Sequence, residues 1–79
     1  MTILEIEQIL VHEISIILGG EKVGIEVPLH ELGLDSMGFV ELLVFIEKKF
    51  NLKLVDSGLG RENFKTVRAL ANRIYEKLR

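Results

Sequence analysis

The stretch Leu29-His30-Glu31-Leu32-Gly33-Leu34-Asp35-Ser36-Met37-Gly38-Phe39-Val40-Glu41-Leu42-Leu43-Val44-Phe45-Ile46-Glu47-Lys48-Lys49-Phe50 passes from an aperiodic segment into a helix, and its reading decides the fold. Up to Leu34 the apolar residues follow no sustained period, and Gly24, Pro28 and Gly33 punctuate them as in a loop. From Ser36 the pattern changes. At about 100° per residue, Phe39, Leu42, Leu43, Ile46 and Phe50 fall on one face, the stripe a helix needs to join a core. Asp35 or Ser36 is the N-cap, and Asn51 with the polar turn beyond it stops the helix. Met37, Val40 and Val44, flanked by Glu41, Glu47 and Lys48, make a second apolar face. Two readings of that face stand side by side. Either the helix is central and packed on two sides, or the three residues form a docking strip rimmed by charge.

Upstream, Thr2 and Glu5 read as a capping box that opens a first helix. Ile3, Ile6, Leu10, Ile14 and Ile17, helped by Ile9, Val11 and Leu18, form its inward stripe, and Gly19-Gly20 ends it. The loop from Gly20 to Asp35 is pinned by Val23, Ile25, Val27, Leu29, Leu32 and Leu34. Alternation at Val23, Ile25 and Val27 suggests a strand as an alternative, but a lone short strand has no partner here. Downstream, a segment around Leu59 to Phe64, set among Asp56, Ser57, Gly58 and Gly60, reads as one helical turn. Thr66 then caps a last helix with Val67, Leu70, Ala71, Ile74 and Leu78 inward and Arg68, Arg73, Lys77 and Arg79 facing water. The expectation is an all-α fold: a small four-helix bundle, three main helices plus one short helix, with a long loop between helices one and two.

The 79 residues fit a single domain, residues 1–79, with 48% apolar and 28% charged residues in ordinary globular proportion. Ordering so short a chain leaves little margin, so nearly every Leu, Ile, Val and Phe should have a core or partner role. With no cysteine, disulfides, thiolate metal sites and cysteine nucleophiles are excluded, and His12 and His30 alone cannot make a multi-histidine metal site. Any thiol chemistry must come from a cofactor. The start carries acids where a secretory signal needs positive charge, which points to a cytoplasmic protein. The longest apolar run, Leu42 to Ile46, is far short of the roughly 20 residues of a membrane span. The net charge of −2 argues against a nucleic-acid partner. It is unevenly spread: residues 1–35 hold seven acids and one lysine, residues 36–79 five acids and nine bases.

Asp35-Ser36 sits where the loop meets the second helix. The plain reading is capping alone. The sharper one is electrostatic: free N–H groups and the helix dipole favour an anion there by about 0.3–1 kcal/mol, so a phosphate esterified to the Ser36 hydroxyl would be well placed. A hydrolase with Ser36 as nucleophile needs a positioned base and an oxyanion site, and Gly33-Leu34-Asp35-Ser36-Met37-Gly38 lacks the Gly-x-Ser-x-Gly elbow. His30 is near in sequence but on a loop, and His12 reads as a surface residue of helix one. A small helical interaction module without a prosthetic group is the alternative from another class. A nucleic-acid version of it finds no paired recognition helix, and the bases are spread from Lys48 to Arg79.

Leu29 to Met37, then Val40-Glu41-Leu42 and Ile46-Glu47-Lys48-Lys49-Phe50, resemble the acyl carrier protein family and its peptidyl carrier relatives. Phe64-Lys65-Thr66-Val67-Arg68-Ala69-Leu70-Ala71 also looks like the family's approach to its last helix, so the likeness spans essentially the whole chain. The resemblance implies a non-catalytic four-helix carrier, acting as a monomer. Ser36 would receive a 4′-phosphopantetheine arm from coenzyme A through a phosphopantetheinyl transferase. The arm's thiol would carry an acyl or aminoacyl group as a thioester for loading and condensing enzymes of fatty acid, polyketide or related biosynthesis. By the same resemblance Asp35 would help the transferase recognise the site, and Met37, Val40, Glu41, Val44, Glu47 and Lys48 would face partner enzymes. One departure narrows this. Members serving fatty acid synthesis usually have a strongly acidic second helix, whereas here Asp35, Glu41 and Glu47 are offset by Lys48 and Lys49. A discrete carrier of a specialised pathway, such as polyketide, nonribosomal peptide or modified lipid assembly, is expected.

Overall fold

Thr2 starts the first helix, α1 (Ile3–Ile17), through the expected capping box: its hydroxyl accepts from Glu5 N–H at 3.1 Å, and its own N–H donates to Glu5 Oε1 at 2.9 Å. The computed structural model describes residues 1–52 and 65–78. At the far end Gly19 and Gly20 both take positive φ. Gly20 N–H reaches Ser15 O at 2.7 Å and Gly19 N–H reaches Ile16 O at 3.1 Å, the paired bonds of a Schellman stop. The stripe holds in the packing, since Ile6, Leu10 and Ile14 are fully buried while Ile3, Ile9, Val11, Ile17 and Leu18 pack at the core's edge.

The thread through Gly20 to Asp35 is a loop, and Val23 and Ile25 pack against the core with no strand among the described residues. It carries one element that the loss of periodicity concealed: a single 3-10 turn, Leu29–Leu32, closed by Gly33 at φ 87°. The second helix, α2 (Ser36–Phe50), ends on Asn51 in the left-handed conformation at φ 55°. Thr66 Oγ1 accepts from Ala69 N–H at 3.0 Å and so caps the third, α3 (Val67–Leu78), as the sequence indicates. The described residues thus form three α-helices and a 3-10 turn, an all-α architecture; the short helix expected around Leu59 to Phe64 lies outside them.

Side chains from all three helices build one core, with α1 packed on both α2 and α3. Leu42, Ile46 and Phe50 enter it from α2, and Val67, Leu70, Ala71 and Ile74 from α3. Leu78 departs from the expected inward face: one turn beyond Ile74 it is 42% exposed, because the stripe outlasts the core. Arg68 faces water as expected, with half its side chain exposed, and it also bridges Glu7 on α1 (Nε to Oε2, 3.3 Å) and Glu26 in the loop (Nη1 to Oε1, 3.0 Å). Glu7 is buried, on the same stripe as Ile3, Leu10 and Ile14, and a buried carboxylate requires such a partner.

Glu5 gives the fold a testable pH response. The Thr2 backbone N–H, and after it the Thr2 side chain, hold its carboxyl below the usual glutamate range. A depressed folded-state value means that the contribution is complete above the unfolded value and lost as pH falls through the folded one. Amide protection in the first turn of α1 is therefore expected to drop on acidification below the ordinary glutamate range, with less change near Ile14. Hydrogen exchange in wild type and in Glu5→Gln, which has no carboxyl to titrate and should show no such acid step, checks this.

Candidate functional site

The site is assembled by fixing a loop to α3 and starting a helix from it. Leu29 N–H donates to Lys65 O at 2.7 Å, and Arg68 N–H donates to Ile25 O at 3.0 Å, so the loop is fastened twice to the start of α3. Leu29, buried beneath it, anchors the 3-10 turn, and Gly33 then reverses the chain through the left-handed region that favours glycine. The turn delivers Asp35 to the head of α2.

Asp35 is the N-cap. Its Oδ1 accepts from Gly38 N–H at 2.7 Å, and its carbonyl accepts from Phe39 N–H at 2.9 Å. The two candidates for the cap are thereby distinguished, for Ser36 is the first helical residue and its hydroxyl carries no capping bond. That hydroxyl is exposed and makes no hydrogen bond among the described residues. The N–H groups of Ser36 and Met37 belong to the first turn, where a helix leaves them without intrahelical partners, at its positive end. An esterified phosphate would meet an environment suited to an anion without displacing a hydrogen bond among the described residues, so the residues present fit a phosphate-linked arm.

Gly38 explains a feature that the sequence leaves as a cost. Glycine in a first turn sacrifices up to about 1 kcal/mol of helix propensity. Here it is buried, and a Cβ on it would lie 3.0 Å from Leu34 Cδ1, 3.2 Å from Ile17 Cγ2 and 3.3 Å from Asp35 Oδ1. The missing side chain lets the C-terminal end of α1 and Leu34 close over the first turn and against the cap. Gly38→Leu is expected to cost about 1–3 kcal/mol by overpacking. A denaturant titration would measure it, and an unchanged midpoint would contradict the close approach.

A depression of about 390 Å³ opens beside Ser36, with Leu29, Leu34 and Phe39 among its apolar lining and His30, Asp35 and Lys65 among its polar lining. His30 therefore shares a depression with Ser36, which sequence proximity alone did not establish. No described hydrogen bond joins them, and Asp35 is engaged by Gly38 N–H, so the three do not form a relay. Lys65, near the start of α3, is the member that sequence reasoning left out as a site residue. Its separation of 29 positions from Ser36 hid it, and only the Leu29–Lys65 bond brings it in.

The second apolar face of α2 is open to solvent. Met37 is 74% exposed, Val40 56% and Val44 44%, while Leu42 and Ile46 behind them are fully buried. Glu41 and Lys48 are exposed beside this strip, with Glu47 half-buried. The reading in which the helix is packed on two sides does not hold for these three residues.

Fold and site together define a class: a small helical bundle that presents an exposed serine hydroxyl at the head of a capped helix. The family described as "Phosphopantetheine attachment site" matches residues 5–74, and the chain belongs to it. That family supplies the cofactor, 4′-phosphopantetheine, and is generally non-catalytic. The chain is similar to aminoacyl carrier protein 2 of Bradyrhizobium diazoefficiens, 40% identical over 53 residues that cover 67% of this chain and 60% of that protein. It is also similar to the D-alanyl carrier protein of Streptococcus suis, 42% identical over 48 residues, 61% of each chain. A D-alanyl carrier protein of Streptococcus equi subsp. zooepidemicus is 46% identical over 43 residues, 54% of each chain. The matches thus span little more than half to three fifths of these relatives' length. No solved structure matches the chain. Among the described residues no helix is long and apolar enough to cross a membrane.

Proposed function

We propose that this chain is a discrete carrier whose Ser36 bears the 4′-phosphopantetheine arm and that it presents an acyl or aminoacyl thioester to partner enzymes without catalysing a reaction itself. The observation that carries the reading is the Ser36 hydroxyl, exposed at the first position of α2 and without a hydrogen bond among the described residues, the cap being made by Asp35. In the loading step Ser36 Oγ would attack the pyrophosphate of coenzyme A, forming the phosphodiester and releasing 3′,5′-adenosine diphosphate, while the hydroxyl proton passes to a base of the phosphopantetheinyl transferase. The arm, when attached, supplies the thiol that this cysteine-free chain lacks.

Asp35 serves twice in this reading, fixing the helix start and marking the site for the transferase. Met37, Val40 and Val44 form the apolar centre of the partner face, with Glu41, Glu47 and Lys48 as its charged rim. The mixed charge on α2 suits partners with a less basic and more apolar surface than a strongly acidic helix would select. Similarity to aminoacyl and D-alanyl carrier proteins favours an aminoacyl cargo over a long acyl chain. A cytoplasmic, specialised biosynthetic setting accords with that.

The cargo is tested by incubating loaded protein with ATP, individual amino acids and an aminoacyl-loading ligase, followed by hydroxylamine treatment. An adduct that hydroxylamine releases, and that forms only on loaded protein, supports the reading. Adduct formation on unmodified protein, or turnover of a simple ester lost in Ser36→Ala, would replace it with a serine-nucleophile enzyme.

A further inference from the structure

Lys65 and His30 reach the depression beside Ser36 from separate segments, and neither makes an ion pair among the described residues. The carboxylate that shares the depression, Asp35, already accepts the Gly38 N–H at 2.7 Å. Two basic side chains thus line the same depression as Ser36. Leu29, Leu34 and Phe39 supply its apolar lining, and about 390 Å³ falls within the roughly 300–1,000 Å³ of ordinary small-molecule sites. The depression therefore offers both kinds of surface that the arm would bring nearest its attachment, a phosphate and a branched, methyl-bearing pantoyl unit.

We propose that Lys65 and His30 form a basic cradle for the arm's phosphodiester and that the pantoyl unit lies on Leu34 and Phe39, so that the arm is docked on the carrier between partner encounters. The proposal rests on Ser36 being the attachment point. It concerns the side chains alone, since the bond that holds Lys65 in place runs from Leu29 N–H to its backbone carbonyl, and a substitution at Lys65 leaves that bond available. Docking of this kind would hold the arm against the carrier and release it when a partner competes for the depression or for the adjoining strip.

The test uses protein loaded from coenzyme A, with loading established by intact mass before any spectrum is recorded. In wild type, Lys65, His30, Leu34 and Phe39 resonances are expected to shift on loading, and the geminal methyls of the arm to show contacts to the Phe39 ring. Loaded Lys65→Gln/His30→Gln should lose the methyl contacts and show a shifted phosphorus resonance that relaxes more slowly than in loaded wild type, whereas Lys65→Arg should keep the wild-type values of both. Raising the salt concentration on wild type should weaken the same signals, which provides a check that needs no variant. A loaded wild type with no methyl contacts to Phe39, or a double variant indistinguishable from wild type, overturns the cradle and leaves the carrier reading standing. Failure of the wild type to load overturns both.

Discussion

Ser36→Ala is expected to abolish loading by coenzyme A and a phosphopantetheinyl transferase completely, while unfolding with the wild-type midpoint. The two halves of that result come from one piece of geometry. Because Asp35 Oδ1 takes the Gly38 N–H at 2.7 Å, the hydroxyl of Ser36 does no capping work, and its removal is an exposed substitution worth no more than about 0.5 kcal/mol. Alanine at the first helical position even gains slightly in propensity. The complementary variant, Asp35→Ala, should behave in the opposite sense on stability, losing about 1 kcal/mol with the cap. Chemical denaturation alongside intact mass separates the roles. A Ser36→Ala protein that fails to fold would show the serine to be structural.

Leu42→Ala should be a strongly damaging truncation in α2. Leu42 is fully buried among Ile46, Leu10 and the other core residues, and such truncations cost about 2–5 kcal/mol. A 79-residue domain has a total stability of about 4–12 kcal/mol, so the loss is a large fraction of it. Val40→Ala, two residues earlier on the same helix, removes two methyl groups from a side chain that is 56% exposed and should shift stability by no more than about 0.5 kcal/mol. Guanidinium titrations of the two variants would show the contrast. Comparable losses would mean that Val40 is packed. If the strip is instead a docking face, Val40→Ala should weaken transfer to and from partner enzymes while the fold and loading persist.

The helices were legible wherever apolar spacing and capping chemistry agreed. Thr2 with Glu5, Gly19-Gly20, Asn51 and Thr66 all act at the ends where their residue types indicate, because these are local interactions that need no knowledge of the tertiary fold. What the pattern could not settle was decided by long-range contacts. Whether Asp35 or Ser36 caps α2 depends on how the loop approaches, and the open state of Met37, Val40 and Val44 depends on what else packs on α2. The 3-10 turn at Leu29–Leu32 leaves no period to detect in four residues. Arg68 reads as a solvated charge and is exposed, but its two acidic partners lie 61 and 42 residues away, beyond any local pattern, although Glu7 on an apolar stripe signals that some cation must meet it. Lys65 stayed hidden from the site for a similar reason, being joined to it through a backbone bond.

Intact mass of the folded protein after incubation with coenzyme A and a broad-specificity phosphopantetheinyl transferase, followed by fragmentation to locate the adduct, bears most directly on the central claim. One phosphopantetheine per chain, mapped to Ser36, is the expected result. A folded protein that remains unmodified, or an adduct on another residue, would contradict it.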